Sequence, residues 1–328
     1  MPRGPNYENI DPESFDRPRR RTRPRTKDRP TYDDAAPGVV LTVDRGRFTC
    51  AVDGRTVMAM KSRPLGRKGV VVGDRVQIVG DVSGDEGALA RIVTIDPRTT
   101  TLRRTADDDD PVERVIVANT DQLVVVVALA DPEPRVGLID RALVAAYDEG
   151  MDPLLILTKA DLADPDELLA TYGPLDVPYV VTRRDADPGP VRERLTGRTS
   201  VLLGHSGVGK STLVNALVPG TDRAIGHVNA VTGRGRHTST SALMLPLPGG
   251  DGWIVDTPGI RSFGLAHVDP THLINAFVDL AELTDACPRG CTHASGEPEC
   301  GLDEATEGER GRVESFRRLL DSRETSSY

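Results

Sequence analysis

The chain has a single tryptophan and only 4% aromatic residues in 328 positions, so any core it builds rests on aliphatic side chains. Long hydrophobic runs are missing as well. The longest, Leu123 to Ala130, is eight residues, far below the roughly 20 that a membrane-spanning helix needs. No membrane partner is expected. The opening stretch MPRGPNYENIDPESFD contains no apolar segment and does not read as a secretory leader. A cytoplasmic protein is expected. Cysteine is scarce: four in all, three of them between Cys287 and Cys300. In a reducing compartment that clustering argues for metal ligation over a disulfide framework. The fourth, Cys50, lies in the β-like stretch RFTCAVDG and reads as a small buried apolar residue.

An excess of positive charge is also absent. The net charge of −9 argues against nucleic-acid binding by bulk charge alone. Basic residues are instead concentrated in RPRRRTRPRTKDR, residues 17–29, which holds eight Lys or Arg and one Asp. A run of this kind buries no core. It reads either as a solvated tail or as a phosphate-binding arm, whose binding would be salt-sensitive and poorly sequence-specific.

Internal repeats are lacking, and the texture changes along the chain. Residues 1–36, rich in Pro and Arg and without hydrophobic period, are expected to be a disordered basic tail. From Gly38, β-like runs such as GVVLTVDRG, RFTCAVDG, RTVMAMKS, DRVQIVGD and ALARIVTIDP alternate with turn residues. Five short strands over residues 37–104 predict a small closed barrel. An oligonucleotide-binding (OB) type fits the count, and so does an SH3-like barrel. TADDDDPVE, from Thr105 to Glu113, reads as an acidic linker. Beyond it, apolar strands (QLVVVVALA, DPLLILTKAD, VPYVVT, TSVLLG) alternate with helical segments through about residue 268. That pattern predicts a mainly parallel sheet covered on both faces. Residues 269–328 read as helices, PTHLINAFVDLAELTDA and RVESFRRLLDSRE, flanking the cysteine cluster.

The sharpest motif is Gly204-His205-Ser206-Gly207-Val208-Gly209-Lys210-Ser211, followed by Thr212, after one apolar strand and before a helix. It matches the phosphate-loop pattern in the required context. Its glycines let successive N–H groups turn toward phosphate, and the helix N-terminus adds favourable partial charge. Lys210 is expected to reach the outer phosphates, and Ser211 to ligate magnesium. In WIVDTPG, Asp256 ends a strand, where its carboxylate suits magnesium, and the Gly259 N–H is placed to sense a γ-phosphate.

Thr158-Lys159-Ala160-Asp161 also ends an apolar strand. The Asp161 carboxylate would accept two hydrogen bonds from the N1–H and 2-amino group of guanine, which adenine does not offer. The Lys159 stem would pack along the base. The usual first residue of this motif is Asn; here it is Thr158. The order is reversed relative to ordinary GTPases, because Gly204 follows Asp161 by 43 positions. In a doubly wound sheet, nucleotide loops lie at the carboxyl ends of strands whatever their chain order. Joining nearby termini and cutting elsewhere keeps each loop in place. Circular permutation is therefore the expected arrangement. It also leads the chain from the Asp256 turn straight toward the cysteine cluster, a route by which nucleotide state would reposition that module.

Between 221 and 240 lies TDRAIGHVNAVTGRGRHTST, polar and Gly-rich, with the character of a mobile loop over the phosphates. Thr238 or a neighbouring Thr is a candidate magnesium ligand. Ile260 stands where Ras-like proteins carry a water-orienting Gln, which leaves His237 as the candidate for that role. CPRGCTHASGEPEC offers Cys287, Cys291, His293 and Cys300, a closed tetrahedral set suited to one structural zinc ion.

Together these features resemble the ribosome small-subunit-dependent GTPases, an RsgA-like family of circularly permuted enzymes. The shared features are a small barrel, TKAD before GHSGVGKST and DTPG, a GRGRHTST switch-like segment, and Cys-x3-Cys-x-His-x6-Cys, covering about residues 37–320. The departures are Thr158, the Cys-x3-Cys spacing, and VTRRDAD, where a Ser-Ala-type base-contact loop is absent. The resemblance implies an OB-type N-terminal barrel, a central α/β circularly permuted GTPase domain and a C-terminal helical zinc module. It further implies a monomer that binds GTP and GDP with magnesium and acts on the immature small (30S) ribosomal subunit and its rRNA. Subunit-stimulated hydrolysis to GDP and phosphate would belong to a late maturation step. Two rivals are a GTP-regulated protein-interaction switch that never touches RNA, and a phosphate-loop kinase, which leaves TKAD unexplained.

Overall fold

The computed structural model describes residues 32–66, 69–105, 113–220, 242–257, 270–275 and 277–324. The basic run at 17–29, the acidic residues 106–112, His237, Thr238, Gly259 and Ile260 lie outside the described residues. Strands β1 (Ala36–Asp44), β2 (Arg47–Val52), β3 (Arg55–Lys61), β4 (Arg75–Gly80) and β5 (Ala90–Ile95) close into a barrel. The order is β1-β2-β3-β5-β4-β1, with β3 and β5 parallel. This closure is of the OB type and sets aside the SH3-like alternative. The first two turns, Arg45-Gly46 and Asp53-Gly54, have positive φ at both central residues. That is the type I′ geometry matching the twist of a two-residue hairpin. Val40, Cys50, Val57, Val76, Ile78 and Ile92 fill the interior. Burial pushes the Cys50 thiol up to about 12, so it packs as an apolar group.

On either side of the expected linker, β6 (Thr101–Thr105) pairs antiparallel with β7 (Glu113–Ala118), Thr105 opposite Glu113. The charges at this end of the ribbon obscured the pairing. At its other end the barrel is keyed onto it. Ala118 N donates to Val72 O at 2.9 Å, and Asn119 Nδ2 donates to Gly73 O at 2.9 Å. Gly73 sits at φ +85°, and a Cβ there would fall 2.0 Å from Ala118 O.

The second half of the sheet contains β8 (Gln122–Ala128), β9 (Asp152–Thr158), β10 (Tyr179–Val181), β11 (Thr199–Leu203), β12 (Leu243–Pro246) and β13 (Trp253–Asp256). Its order is β10-β9-β8-β11-β13-β12, parallel throughout except for the antiparallel β12. The phosphate-loop strand β11 is thus central, although it comes fourth of the six in the chain. The apolar runs are continuous because both faces are covered. Helix α1 (Val136–Asp148) packs on one face and α4 (Lys210–Leu217) on the other. Helices α2 (Asp166–Tyr172) and α3 (Gly189–Leu195) are single short segments. The seven residues of α3, opening on Gly-Pro, show too little periodicity to be read in advance.

The C-terminal helices α5 (Pro270–Asn275), α6 (Val278–Leu283) and α7 (Glu307–Glu324) share a continuous core with α1 and the sheet, through Leu273, Phe277, Leu280, Phe316 and Leu319. Arg318 of α7 donates to Asp140 of α1 at 3.2 Å, and Tyr172 OH donates to the same carboxylate at 2.9 Å. Burial holds the Asp140 carboxyl above its usual range, while Arg318 and Tyr172 pull it back. Any displacement of this module must break that buried cluster.

Gly73→Ala tests how tightly the barrel is keyed to the ribbon. Left-handed strain plus a backbone clash is expected to cost about 3 kcal/mol or more. Denaturant unfolding of the full chain measures it.

Candidate nucleotide site and metal cluster

Three of the predicted motifs meet at the carboxyl edge of the sheet because the parallel register brings them there. β8 pairs Ala128 with Thr158, β11 pairs Leu203 with Val125, and β13 pairs Asp256 with Leu202. The chain leaves β9 into TKAD, β11 into the glycine loop, and β13 at Asp256. Reversed chain order leaves no trace in this arrangement.

Within the phosphate loop, a Cβ on Gly204 would meet Val126 O at 2.7 Å, so the loop lies flush against β8. Gly207 and Gly209 adopt φ of +85° and +91°, a backbone that only glycine takes at little cost. Val208 is buried beneath the loop, and Ser211 and Thr212 are exposed on the first turn of α4. Lys210 Nζ donates to Thr257 O at 2.6 Å and stands 3.1 Å from Asp256 Oδ1. Thr257 Oγ1 donates in turn to Leu202 O at 2.6 Å, fixing the end of β13 onto β11. Asp256 Oδ1 is buried, and it takes no aligned hydrogen bond from the described residues. A buried carboxylate oxygen beside an ammonium is a site that accepts a cation or its water. A carboxylate oxygen of this kind, with the exposed Ser211 hydroxyl beginning α4, is an oxygen donor set that magnesium accepts.

Thr158 has a clear structural role. Its buried Oγ1 lies 2.6 Å from Val208 O, inside the phosphate loop, and 3.2 Å from Val127 O. A single hydroxyl therefore ties the base loop to the phosphate loop, the connection expected of Asn in this position. Lys159 follows at φ +58°, and its ammonium donates to Asp131 O. Asp161 is exposed at the loop tip, free of the core, and Ala160 N donates to Thr182 O at 3.2 Å.

One contributor was flagged in the sequence and one escaped it. Thr182, the first residue after β10, lies in the VTRRDAD stretch, and its carbonyl accepts from Ala160 N, which holds that stretch against TKAD. The Asp131-Pro132 segment after β8 lies against Lys159, and Pro132 Cδ is 3.5 Å from a Cβ placed on Gly207. Its signal was positional only: it follows a parallel strand on the same edge.

In the C-terminal module, one ligand atom from each of Cys287, Cys291, His293 and Cys300 lies within 4.8 Å of all the others. His293 Nδ1 is 3.6 Å from Cys287 Sγ and 3.8 Å from Cys300 Sγ. Gly301 N donates to Cys287 Sγ at 3.1 Å and His293 N to Cys291 Sγ at 3.4 Å, supporting the sulfurs as acceptors. Gly301 is required sterically, since a Cβ would meet Leu283 O at 2.0 Å. Burial pushes the His293 imidazole down, toward the neutral form that ligates metal. The four residues are able to hold one metal ion.

Residues 95–266, just over half of the chain, match the family model for RsgA GTPase. The chain belongs to the RsgA GTPase family. As a member of that family it is a GTP hydrolase. Among relatives of the RsgA family, the small ribosomal subunit biogenesis GTPase RsgA of Pseudomonas fluorescens (strain SBW25) is 40% identical over 258 residues. The match covers 75% of this chain and 74% of that protein. The protein of the same name from Gemmatimonas aurantiaca is 36% identical over 291 residues, covering 86% and 92%. Of solved structures, YjeQ from Thermotoga maritima matches with a TM-score of 0.62 at 27% identity, over 87% of this chain and 99% of that one. YloQ, described as a circularly permuted GTPase, matches with a TM-score of 0.62 at 22% identity, over 88% and 96%, and supports the fold.

Thr158→Val removes the donor and leaves Val208 O buried without it. Guanine-nucleotide affinity is expected to fall about tenfold, equivalent to roughly 1.4 kcal/mol. Thr158→Ser should retain it. Titration with a fluorescent GDP analogue measures both.

Proposed function

We propose that this chain is a magnesium-dependent, guanine-specific GTPase that binds the immature small ribosomal subunit and acts in its late maturation, with turnover stimulated by the subunit. The observation that carries the reading is the convergence of TKAD and the phosphate loop on one sheet edge, tied by Thr158 Oγ1 and Val208 O, in a chain of the RsgA family. Asp161 reads guanine, and Lys159 packs along the base with Ala160 beside it. The N–H groups from Gly204 to Thr212 hold the phosphates together with Lys210. Ser211 and Asp256 would hold magnesium, which would supply neutralisation of phosphate charge. Gly259 senses the γ-phosphate, Thr238 completes the magnesium shell and His237 orients water; these three residues lie outside the described ones, and their roles rest on the sequence motifs.

Six arginines of the barrel, at 45, 47, 55, 63, 75 and 91, are exposed. They give a net-acidic chain a local surface for RNA phosphate, and the C-terminal module adds a second contact. Zinc is the ion we assign to the Cys3His cluster. Around zinc, with bonds of about 2.3 Å to sulfur and about 2.0 Å to nitrogen, ligand atoms lie roughly 3.5–3.8 Å apart. The two sulfur–nitrogen separations, 3.6 and 3.8 Å, suit that shell. No helix of the described residues is long and apolar enough to cross a membrane, and we place the protein in the cytoplasm as a monomer. We divide the chain at 36, 104 and 268 into tail, barrel, GTPase domain and zinc module.

GTP turnover with and without purified small subunits tests the function. Stimulation of at least about tenfold is expected, and it should be lost in His237→Ala, the range of a single catalytic group. No stimulation, and no co-sedimentation at low salt, would favour a switch acting on protein partners. Elemental analysis should find one zinc per chain, removed with loss of folding by a chelator.

A further inference from the structure

The barrel and the nucleotide site are joined by more than the chain between them. Residues directly opposite one another run across five strands: Thr49 of β2, Thr42 of β1, Leu243 of β12, Asp256 of β13 and Leu202 of β11. Directly paired residues put their side chains on the same face, about 4.5–5.5 Å apart at Cβ. The row therefore runs from the barrel wall to the carboxylate beside Lys210. Leu243 stands between Thr42 and Asp256.

The two sides of Asp256 are held unequally. Toward β11, the end of β13 is fixed by its parallel ladder and by the Thr257 hydroxyl. Toward the other side lies only β12, four residues long, whose outer edge is covered by β1. Among the described residues a single register pair, Thr42 opposite Leu243, makes that cover. The β1–β2 register shifts between Val40 and Thr42, just where β1 meets β12, and β1 stays paired with β2 beyond it. The seam is also poorly satisfied. The hydroxyls of Thr42 and Thr49 are buried, 8% and 2% exposed as residues, and neither has a hydrogen-bond partner among the described residues. Burying an unpaired hydroxyl opposes the association that buries it.

We propose that Thr42 and Leu243 are positioning residues for Asp256, so that the barrel sets the placement of the magnesium carboxylate. This rests on the reading of Asp256 as a magnesium ligand. Linkage makes the coupling reciprocal: a partner that tightens the barrel against β12 favours the magnesium-bound nucleotide, and the reverse.

The test uses the full-length protein and the release rate of a fluorescent GDP analogue across a magnesium titration, with a chelator baseline. Leu243→Ala should raise the magnesium concentration that half-maximally slows release by about fivefold, the low end of site-to-site coupling. The chelator baseline should stay within about twofold of the parent, since base and phosphate contacts are untouched. Thr42→Val keeps the shape, removes the orphan hydroxyl and should lower the half-point about threefold. It decides the matter if Leu243→Ala does not fold. Half-points unchanged in the folded variants would overturn the proposal. Asp256→Asn is the control: if release in that variant keeps its parental magnesium dependence, the magnesium reading of Asp256 fails instead.

Discussion

A short hydrogen bond inside a parallel sheet organises this molecule. Thr158 Oγ1 reaches Val208 O at 2.6 Å only because β9 and β11 lie on either side of β8 in fixed register, Thr158 opposite Ala128 and Leu203 opposite Val125. Shift either strand by one residue and every side chain changes face. The base loop would then lose the phosphate loop altogether. The glycines serve the same constraint, since Gly204 must lie against Val126 O to keep the loop low. Asp161 and Lys210, the residues proposed to read guanine and phosphate, thus belong to one sheet edge.

That edge explains why reversed chain order does not hinder the chemistry. Permutation moves the connections, which run between loops, while the ligand meets only loop ends. Its consequence is mechanical. The cut places the barrel before β8 and leads the chain from β13 toward the Cys3His module. Both modules are thereby attached to the sheet, the barrel along β12 and through the β6–β7 ribbon, and the C-terminal helices along α1. The Asp140–Tyr172–Arg318 cluster makes the second attachment firm, because separating a buried charge from its partner leaves it unsolvated. The barrel seam, with its unpaired hydroxyls, is the softer of the two.

Legibility in the sequence followed locality. The phosphate loop, the TKAD stretch and the Cys3His spacing were readable because each packs its chemistry into a few adjacent residues with special backbone or donor requirements. Barrel type was not readable, since it depends on β3 meeting β5 in parallel, a pairing between segments separated by β4. The β6–β7 ribbon was hidden for a related reason: its partners flank a charged stretch that reads as a linker by composition. Thr158 looked like a defect in a motif. It proved to be a substitution that conserves the bond while changing the donor, which only the position of Val208 O reveals. The Asp131-Pro132 segment was missed because it meets Lys159 through a backbone carbonyl, which carries no sequence signature.

The two attachments bear on how such an enzyme would respond to a large partner. A GTPase domain with slow turnover needs an external event to complete its site, and the two modules offer different routes. The C-terminal helices share the aliphatic core with α1, so force applied there is spread over many buried side chains and moves little. The barrel touches the site through Thr42 and Leu243, one strand from Asp256, across a seam that burial only weakly favours. Interfaces near balance respond to small free-energy inputs, whereas packed cores resist them. On physical grounds the β1–β12 seam is therefore the sensitive contact of the molecule and the C-terminal module its anchor.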